Sequence, residues 1–224
     1  MLKNRTLILD FDSTLVQVES LDLLSEIVFK KDINKEEKIS EIKTLTEQGM
    51  NGSIAFQDSL QKRIKNIRAT RDQIQLLGRK LVHLITPSFL ENCEWLIKNS
   101  KKIHIFSGGF KETIIPVGKF FNIPEKQIHA NEFIYSSDGI VTGVNEFNPF
   151  SRSGGKVEKA KEIGLHDNII MVGDGNTDAE MKDLGNNVIF IAFVENVTRE
   201  SVLKKADRVA NSFDNVINFI NQTI

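Results

Sequence analysis

The stretch Leu7-Ile8-Leu9-Asp10-Phe11-Asp12-Ser13-Thr14-Leu15 decides how the chain reads. Three apolar residues stop abruptly at an acid, the pattern of a buried strand that has reached its carboxyl end in a parallel sheet. Working outward, the pattern returns three times. Residues 103–106 end at Ser107-Gly108-Gly109, residues 169–172 end at Gly173-Asp174-Gly175, and residues 188–193 form a fourth apolar run. Helical periodicity fills the gaps, with Phe89, Leu90, Cys93, Leu96 and Ile97 in one and Val157, Ala160, Lys161 and Ile163 in another. Strands alternating with helices predict an α/β fold built on an open parallel sheet. In such sheets ligands bind just beyond the carboxyl ends of the strands, where the polar clusters fall.

From about residue 17 to 85 the alternation lapses and helix follows helix. Leu21, Leu24 and Val28 share one face, Ile39, Ile42 and Leu45 the next, and Phe56, Leu60 and Ile64 a third, with Gly49 and Gly52 marking turns. Thr86-Pro87 closes the segment. The expected organisation is therefore a core of residues 1–16 and 86–224 carrying a small helical domain, residues 17–85, inserted after the first strand. A lesser irregularity at 128–144 contains Ser136-Ser137-Asp138-Gly139 between two alternating runs, which predicts a hairpin.

Composition narrows the function. A chain of 224 residues, 40 % hydrophobic and 26 % charged, suits a globular core plus an insert. With 29 basic and 30 acidic residues the net charge is −1, so no global field draws the chain to nucleic acid or membrane, and an anionic ligand must be caught by a local site. Leu7-Ile8-Leu9 is too short for a signal peptide, and no apolar run approaches the roughly 20 residues of a membrane helix. The single Cys93 excludes an internal disulfide and fits a reducing compartment. A cytoplasmic protein, monomer or homodimer, is expected.

Four clusters carry candidate chemistry. Asp10 and Asp12, two apart at a strand end, can both face a ligand, one attacking phosphorus while the other moves a proton, and both can offer oxygens to a hard cation. Ser107-Gly108-Gly109-Phe110 exposes backbone N–H groups ahead of a helix that runs to about Phe121, a cradle for phosphate. Ser153-Gly154-Gly155-Lys156 opens a helix with a lysine that can reach an anion. It is no Walker loop, because the first glycine is missing and Val157 stands where Ser or Thr is needed. Gly173-Asp174-Gly175-Asn176-Thr177-Asp178 begins like a dinucleotide fingerprint, but its acids suit metal ligation instead. Each cluster has a plainer reading taken singly: a capped turn, a glycine-rich bend, a solvated lysine, an Asp-Gly cap. Their joint occurrence in order at strand ends is what favours a site.

Taken together, 10–15, 107–110, Lys156 and 173–178 resemble the four motifs of the haloacid dehalogenase superfamily of phosphatases, over essentially the whole chain. The resemblance implies a Rossmann-like core with helices on both faces of a parallel sheet and a helical cap. A closer similarity is to its phosphoserine phosphatase branch, carried by Asp10-Phe11-Asp12-Ser13-Thr14 followed by Glu19 and Asp22, by Met50-Asn51-Gly52-Ser53-Ile54-Ala55-Phe56 continuing to Arg63, and by 107–110, Ala130-Asn131, 153–156 and 191–193. It implies that Asp10 is the nucleophile, forming an aspartyl-phosphate, and Asp12 the acid and base. Mg²⁺ is implied at Asp10, Asp174 and the backbone carbonyl of Asp12, with Asp178 and Thr177 supporting the metal shell or Lys156. Ser107, Gly108, Gly109 and Lys156 are implied to hold the phosphate. Phosphoserine adds an ammonium and a carboxylate, and Glu19 can pair with the first while the planar fork of Arg63 grips the second. Met50 and Phe56 can close over the substrate and exclude water. The chain departs from the pattern at Thr177, Asn176, Glu132 and Ser20, positions expected at the edge of the site.

Other readings stay open at this point. The chain can be a phosphatase or phosphotransferase for another small metabolite such as homoserine phosphate or a sugar phosphate, or a non-catalytic phospho-ligand module on the same fold. The scattered His83, His104, His129 and His166 adjoin no motif and receive no catalytic role, and the lysine pairs at 30–31, 101–102 and 204–205 read as solvated faces.

Overall fold

The opening strand lies at the centre of the sheet, which is why Leu7, Ile8 and Leu9 are buried one after another before Asp10. The computed structural model describes residues 2, 4–165 and 168–222, so His166 lies outside the described residues. Along the chain, β1 (Thr6–Leu9) leads into four successive helices, α1 (Ser20–Val28), α2 (Lys35–Asn51), α3 (Phe56–Ile67) and α4 (Arg71–Val82). Short helices α5 (Pro87–Glu91) and α6 (Cys93–Asn99) precede β2 (Ile103–Phe110), α7 (Lys111–Phe120) and β3 (Ile128–Asn131). Strands β4 (Phe133–Tyr135) and β5 (Val141–Val144) follow, then α8 (Gly155–Glu162), β6 (Ile169–Gly173), α9 (Asn176–Ala179), β7 (Val188–Phe193), α10 (Glu200–Leu203), β8 (Arg208–Ala210) and α11 (Phe213–Gln222).

Six strands form one parallel sheet in the order β3-β2-β1-β6-β7-β8. The chain winds outward from β1 on one side, then returns to wind outward on the other. Such an order creates a crevice at the carboxyl ends of the two strands where the winding reverses. Those strands are β1 and β6, and the residues that follow them are Asp10 and Asp174. Alternate side chains of β1 serve opposite faces: Leu7 and Leu9 pack with Phe89, Leu96 and Phe213, whereas Ile8 packs with Val157, Ala160 and Met171. Both faces are thus covered by helices, and the apolar burial accounts for continuous hydrophobic runs where a one-sided sheet would alternate.

Helices α1 to α4 form a layer that joins the sheet at two adjacent chain crossings and packs on it through α4 and α7, where a Cβ at Gly78 would lie 3.2 Å from Pro116. Val16 pairs antiparallel with Ile85, Gln17 N–H donates to the Leu84 carbonyl at 2.9 Å, and Thr86 N–H donates to the Leu15 carbonyl at 3.0 Å. The layer buries Leu21, Leu24, Ile42, Leu60, Ile64, Ile74, Leu77 and Leu81. The hairpin of β4 and β5 leans on the same layer, with Val141 N–H bonded to the Ala69 carbonyl at 2.8 Å and Arg71 N–H to the Gly139 carbonyl at 3.2 Å. Its turn needs a left-handed residue, and Gly139 supplies it at φ +78°.

Two details differ from the sequence reading. Strand β2 runs on through Ser107-Gly108-Gly109 to Phe110, so α7 begins only at Lys111. Ladder pairing resumes at Phe110 opposite Asn131 after an irregularity, and the Asn131 side chain donates to the Gly108 carbonyl at 2.9 Å, holding the glycines extended. Leu90 and Ile97, expected on a packed helix face, are 41 % and 37 % exposed because α5 and α6 are two short helices and their apolar residues do not form one continuous stripe. Among the described residues, no helix is long and apolar enough to cross a membrane.

His104 on β2 and His129 on β3 stack at 5.5 Å between ring centroids, with Nδ1 of the first 3.2 Å from Nε2 of the second. One proton shared between two nitrogens makes that hydrogen bond, so protonating both rings destroys it. Burial depresses both imidazoles to about 4, and their mutual repulsion adds to this for His129. A histidine whose folded pKa lies below its unfolded value of about 6.5 costs no stability above that pH and a growing penalty as pH falls toward the folded value. We therefore expect the urea midpoint to drop between pH 7 and pH 5 by less in the H104Q/H129Q protein than in the wild type. Identical pH slopes would show that the pair does not couple folding to protons.

Candidate active site

Asp10 is pinned where β1 ends, its N–H still donating to the Val172 carbonyl of β6 at 2.9 Å. The chain then makes one irregular turn through 11–15, with Ser13 at φ +54°, a conformation uncommon for a residue with a Cβ. Ser13 is held there by its N–H to the Val18 carbonyl at 3.2 Å and by its hydroxyl to Glu19 at 2.8 Å. This turn lets Asp10 and Asp12, two residues apart, border one cavity.

Lys156 comes to the same cavity from the first turn of α8. Gly154 adopts φ +77°, and a Cβ at Gly155 would collide with the Pro149 carbonyl, so this double glycine is what lets the helix start close enough. The Lys156 ammonium donates to Asp10 Oδ1 at 2.7 Å and to Asp178 Oδ1, and it is almost fully enclosed. Burial alone would discharge this lysine, but Asp10 and then Asp178 overcome it and hold the ammonium in its charged form. Asp178 also accepts the Gly175 N–H at 2.9 Å, and burial, with Asp10 adding, pushes its carboxyl up to about 7 against the pull of Lys156. Both Asp178 oxygens are therefore committed, which makes it a support for Lys156.

Asp10, Asp174 and Asp178 each bring a carboxylate oxygen within 4.8 Å of the others, and with Asp178 committed to Lys156 and Gly175, Asp10 and Asp174 supply the oxygens suited to a hard cation. Asp174 is steadied by the Thr14 hydroxyl at 3.0 Å and ion-paired with Arg199, whose other nitrogen reaches Glu19 at 3.4 Å. Arg199, Thr14 and Asn196, which donates to the Thr86 hydroxyl at 2.8 Å and to the Ser13 carbonyl at 3.2 Å, were not singled out from sequence. The rule that sites gather beyond strand ends applies to 194–199 as well, since they follow β7, and it is the signal that would have found Arg199.

Ser20 corrects an expectation. It is not at the edge of the site: its N–H donates to Asp12 Oδ1 at 3.1 Å and its hydroxyl donates to the same oxygen. Burial, then the nearby Glu19 charge, push the Asp12 carboxyl well above the usual range, with Ser20 opposing. A carboxyl raised in this way can carry a proton, and Asp12 stands at the mouth of the glycine loop. Glu132, by contrast, lies outside, loosely paired with Lys111 at 4.0 Å.

The glycine loop differs from the expected cradle in one donor. Gly109 N–H turns inward to the Ser107 hydroxyl at 2.9 Å, which leaves Gly108 and the Ser107 side chain facing the cavity. Above them sit Met50 at the end of α2, Phe56 at the start of α3, and Arg63 two turns on. The Phe56 ring lies so close over Gly108 that a Cβ there would be 2.6 Å from it. Arg63 is 3 % exposed, its Nε has no partner and its Nη1 donates to the Thr46 hydroxyl at 3.1 Å, while burial works against its charge and Glu19, Asp22 and Asp12 favour it through space. Asp10, Asp12, Glu19, Met50, Phe56, Arg63, Ser107, Gly108, Gly109, Lys156, Asp174 and Thr177 all line this one cavity, while Asp178 stands just behind Lys156.

That cavity is about 40 Å³, room for on the order of three waters. A larger cleft of about 780 Å³ opens beside it between α1, α2 and 196–201 and shares Glu19 and Met50, but neither Asp10 nor Lys156 borders it. The chemistry belongs to the small cavity, where the charges converge.

The profile of the haloacid dehalogenase-like hydrolases matches residues 7–182. Phosphoserine phosphatase of Bos taurus is 33 % identical over 208 residues, which cover 91 % of this chain and 88 % of that protein. Among solved structures, a phosphoserine phosphohydrolase-like protein from Francisella tularensis superposes with a TM-score of 0.86 at 35 % identity, covering 96 % of this chain and 99 % of the other. A phosphoserine phosphatase carrying an analogue of a phospho-aspartyl intermediate superposes with a TM-score of 0.74 at 26 % identity, covering 97 % and 99 %.

The close approach at Gly155 has a measurable consequence. Gly155→Ala must move either α8 or the backbone at Pro149, and we expect it to cost about 2 kcal/mol or more in urea unfolding. An unchanged midpoint would mean that the contact relaxes freely.

Proposed function

The chain belongs to the haloacid dehalogenase-like hydrolases, and on that premise we propose that it hydrolyses a small phosphate ester through Asp10, with phosphoserine as the substrate. The observation that carries the substrate is the buried guanidinium of Arg63, which faces the cavity that holds Asp10 and Lys156 and whose Nε has no partner. Glu19, Asp22 and Asp12 act on it through space without a direct ion pair, which leaves its fork for a ligand carboxylate to engage in bidentate fashion. Glu19, on the same cavity, suits the ammonium. A sugar phosphate offers neither charge. The relatives named phosphoserine phosphatase support the same substrate.

Asp10 attacks phosphorus in line with the bond to the seryl oxygen. The new bond from phosphorus to Asp10 forms as the ester bond breaks, and Asp12 gives its proton to the departing oxygen, leaving serine and an aspartyl-phosphate. Asp12 then takes a proton from water, whose oxygen attacks phosphorus. The bond to Asp10 breaks, phosphate leaves, and both carboxyls are restored. Lys156, Ser107 and the Gly108 N–H stabilise the phosphoryl oxygens throughout. The elevated Asp12 supports this order, since its burial and the Glu19 charge favour the protonated form at the start. Asp10, Asp174 and the Asp12 carbonyl would hold magnesium, in keeping with their oxygen donors. A bound Mg²⁺ supplies the positive charge that lets an anionic nucleophile approach an anionic ester. Phe56 and Met50 shut the cavity and exclude water from the first step.

Three outcomes test this reading. Asp10→Asn should lower turnover of phosphoserine by at least about a thousandfold while its melting temperature stays close to that of the wild type; retained turnover would remove Asp10 as nucleophile. MgCl₂ should raise the melting temperature of the wild type and leave Asp174→Asn unmoved, whereas equal shifts in both would place the cation elsewhere. Arg63→Ala should cut kcat/KM for phosphoserine about 30-fold or more and barely change phosphoethanolamine, which lacks only the carboxylate. Equal losses on the two esters would refute carboxylate recognition.

A further inference from the structure

One side chain touches Arg63 directly, and it is neither an acid nor part of the cavity that Arg63 faces. Thr46, in the fourth turn of α2 and 4 % exposed, accepts from Arg63 Nη1 at 3.1 Å through its hydroxyl oxygen. The same oxygen lies 2.6 Å from Asp22 Oδ1 on α1 and 3.1 Å from the Ile42 carbonyl one turn back. A hydroxyl has one hydrogen to give. Both partners can only accept, and the shorter contact, together with the charge of the carboxylate, assigns it to Asp22. The result is a directed chain across three helices, from Arg63 on α3 through Thr46 on α2 to Asp22 on α1.

We propose that Thr46 is a positioning residue for carboxylate recognition, orienting the Arg63 guanidinium while Asp22 anchors the hydroxyl from behind. The proposal rests on the reading of Arg63 given above. Its physical sense lies in what the hydroxyl leaves free. A direct Asp22–Arg63 pair would occupy the guanidinium fork and compete with any ligand carboxylate. A neutral spacer takes one N–H of the five, keeps the acid's charge nearby to offset a buried cation, and leaves an open fork toward the cavity. Burial pushes Asp22 up to about 6, with the Thr46 hydrogen bond and Arg63 opposing, so it remains mainly ionised at neutral pH and can act as the anchor.

The test uses full-length Thr46→Val, which keeps the branched shape and removes the hydroxyl, Thr46→Ser, which restores it, and Arg63→Ala. Each is assayed beside the wild type on phosphoserine and phosphoethanolamine. Thr46→Val should raise KM for phosphoserine about tenfold and leave kcat within about twofold. Its constants for phosphoethanolamine should match the wild type, and Thr46→Ser should recover the low KM. A loss of equal size on both esters, or a phosphoserine KM equal to that of the wild type, overturns the relay. If Thr46→Val does not fold, Asp22→Asn carries the same test, with a selective rise in phosphoserine KM expected and an equal effect on both esters refuting it. Should the wild type and Arg63→Ala themselves fail to separate the two esters, the carboxylate reading falls first. Separation by Arg63→Ala without separation by Thr46→Val removes the relay alone.

Discussion

A lysine ammonium enclosed between two carboxylates holds this site together. Lys156 arrives from α8, Asp10 from the end of β1 and Asp178 from α9, so one cation joins strand ends drawn from both halves of the sheet. Coulomb attraction at this depth is strong, but so is the cost of stripping water from three ionisable groups, and such clusters are poor sources of stability. Their worth is positional. Removing the lysine would leave two acids facing each other with nothing between them, and removing Asp178 would let the ammonium swing toward Asp10 alone. The cluster makes sense as a charged frame kept in register by its own penalties for being broken.

The backbone bends to accommodate that frame. Gly155 permits α8 to begin against the Pro149 carbonyl, Ser13 takes a left-handed conformation so that the turn after β1 can present two acids, and a Cβ at Gly173 would run into Asp178. Deviations of this kind are tolerated when neighbouring hydrogen bonds over-determine them. Ser13 is tied at both N–H and hydroxyl, and Asp178 at both oxygens. Elements that depart from regular geometry are thus the ones that carry the chemistry, while β1, β6 and β7 behind them are ordinary apolar strands.

That contrast explains how much could be read beforehand. The parallel sheet was legible because burial on both faces leaves an uninterrupted hydrophobic run, and Leu7-Ile8-Leu9 has no alternative use. Three of the four motifs were legible because each follows such a run, and the fourth, at Lys156, because its glycines open a helix, so their chemistry could be placed before any distance was known. Ser20 was misjudged because its role depends on a side chain eight residues earlier folding back across the turn, which no periodicity encodes. Arg199 and Asn196 were passed over because they sit in an irregular segment without apolar spacing. The boundary of β2 was placed too early because glycines punctuate most strands, and here the Asn131 side chain holds them extended. Thr46 belongs to no motif, and its meaning resides wholly in neighbours from α1 and α3.

Closure of the helical layer follows from the same geometry. The catalytic cavity, at about 40 Å³, is smaller than an amino-acid phosphoester requires, and the Phe56 ring rests on Gly108. Exchange of substrate and product must therefore separate α3 from the β2 loop. Two adjacent crossings, at Val16 and Ile85, carry the chain between the helices and the sheet, and their neighbours are fastened by Asn196 to the Ser13 carbonyl and the Thr86 hydroxyl. Helix α4 adds a packed contact with α7, so close that a Cβ at Gly78 would lie 3.2 Å from Pro116, and any opening of α3 has to be accommodated around that contact. Asp10, Lys156 and Asp178 belong to the sheet and its own helices, whereas Arg63, Thr46 and Asp22 sit on α3, α2 and α1. On the proposed reading, phosphate would meet the first group and the carboxylate the second, so a ligand carrying both charges would bridge the sheet and the helical layer. An ester without the carboxylate would engage the sheet side alone.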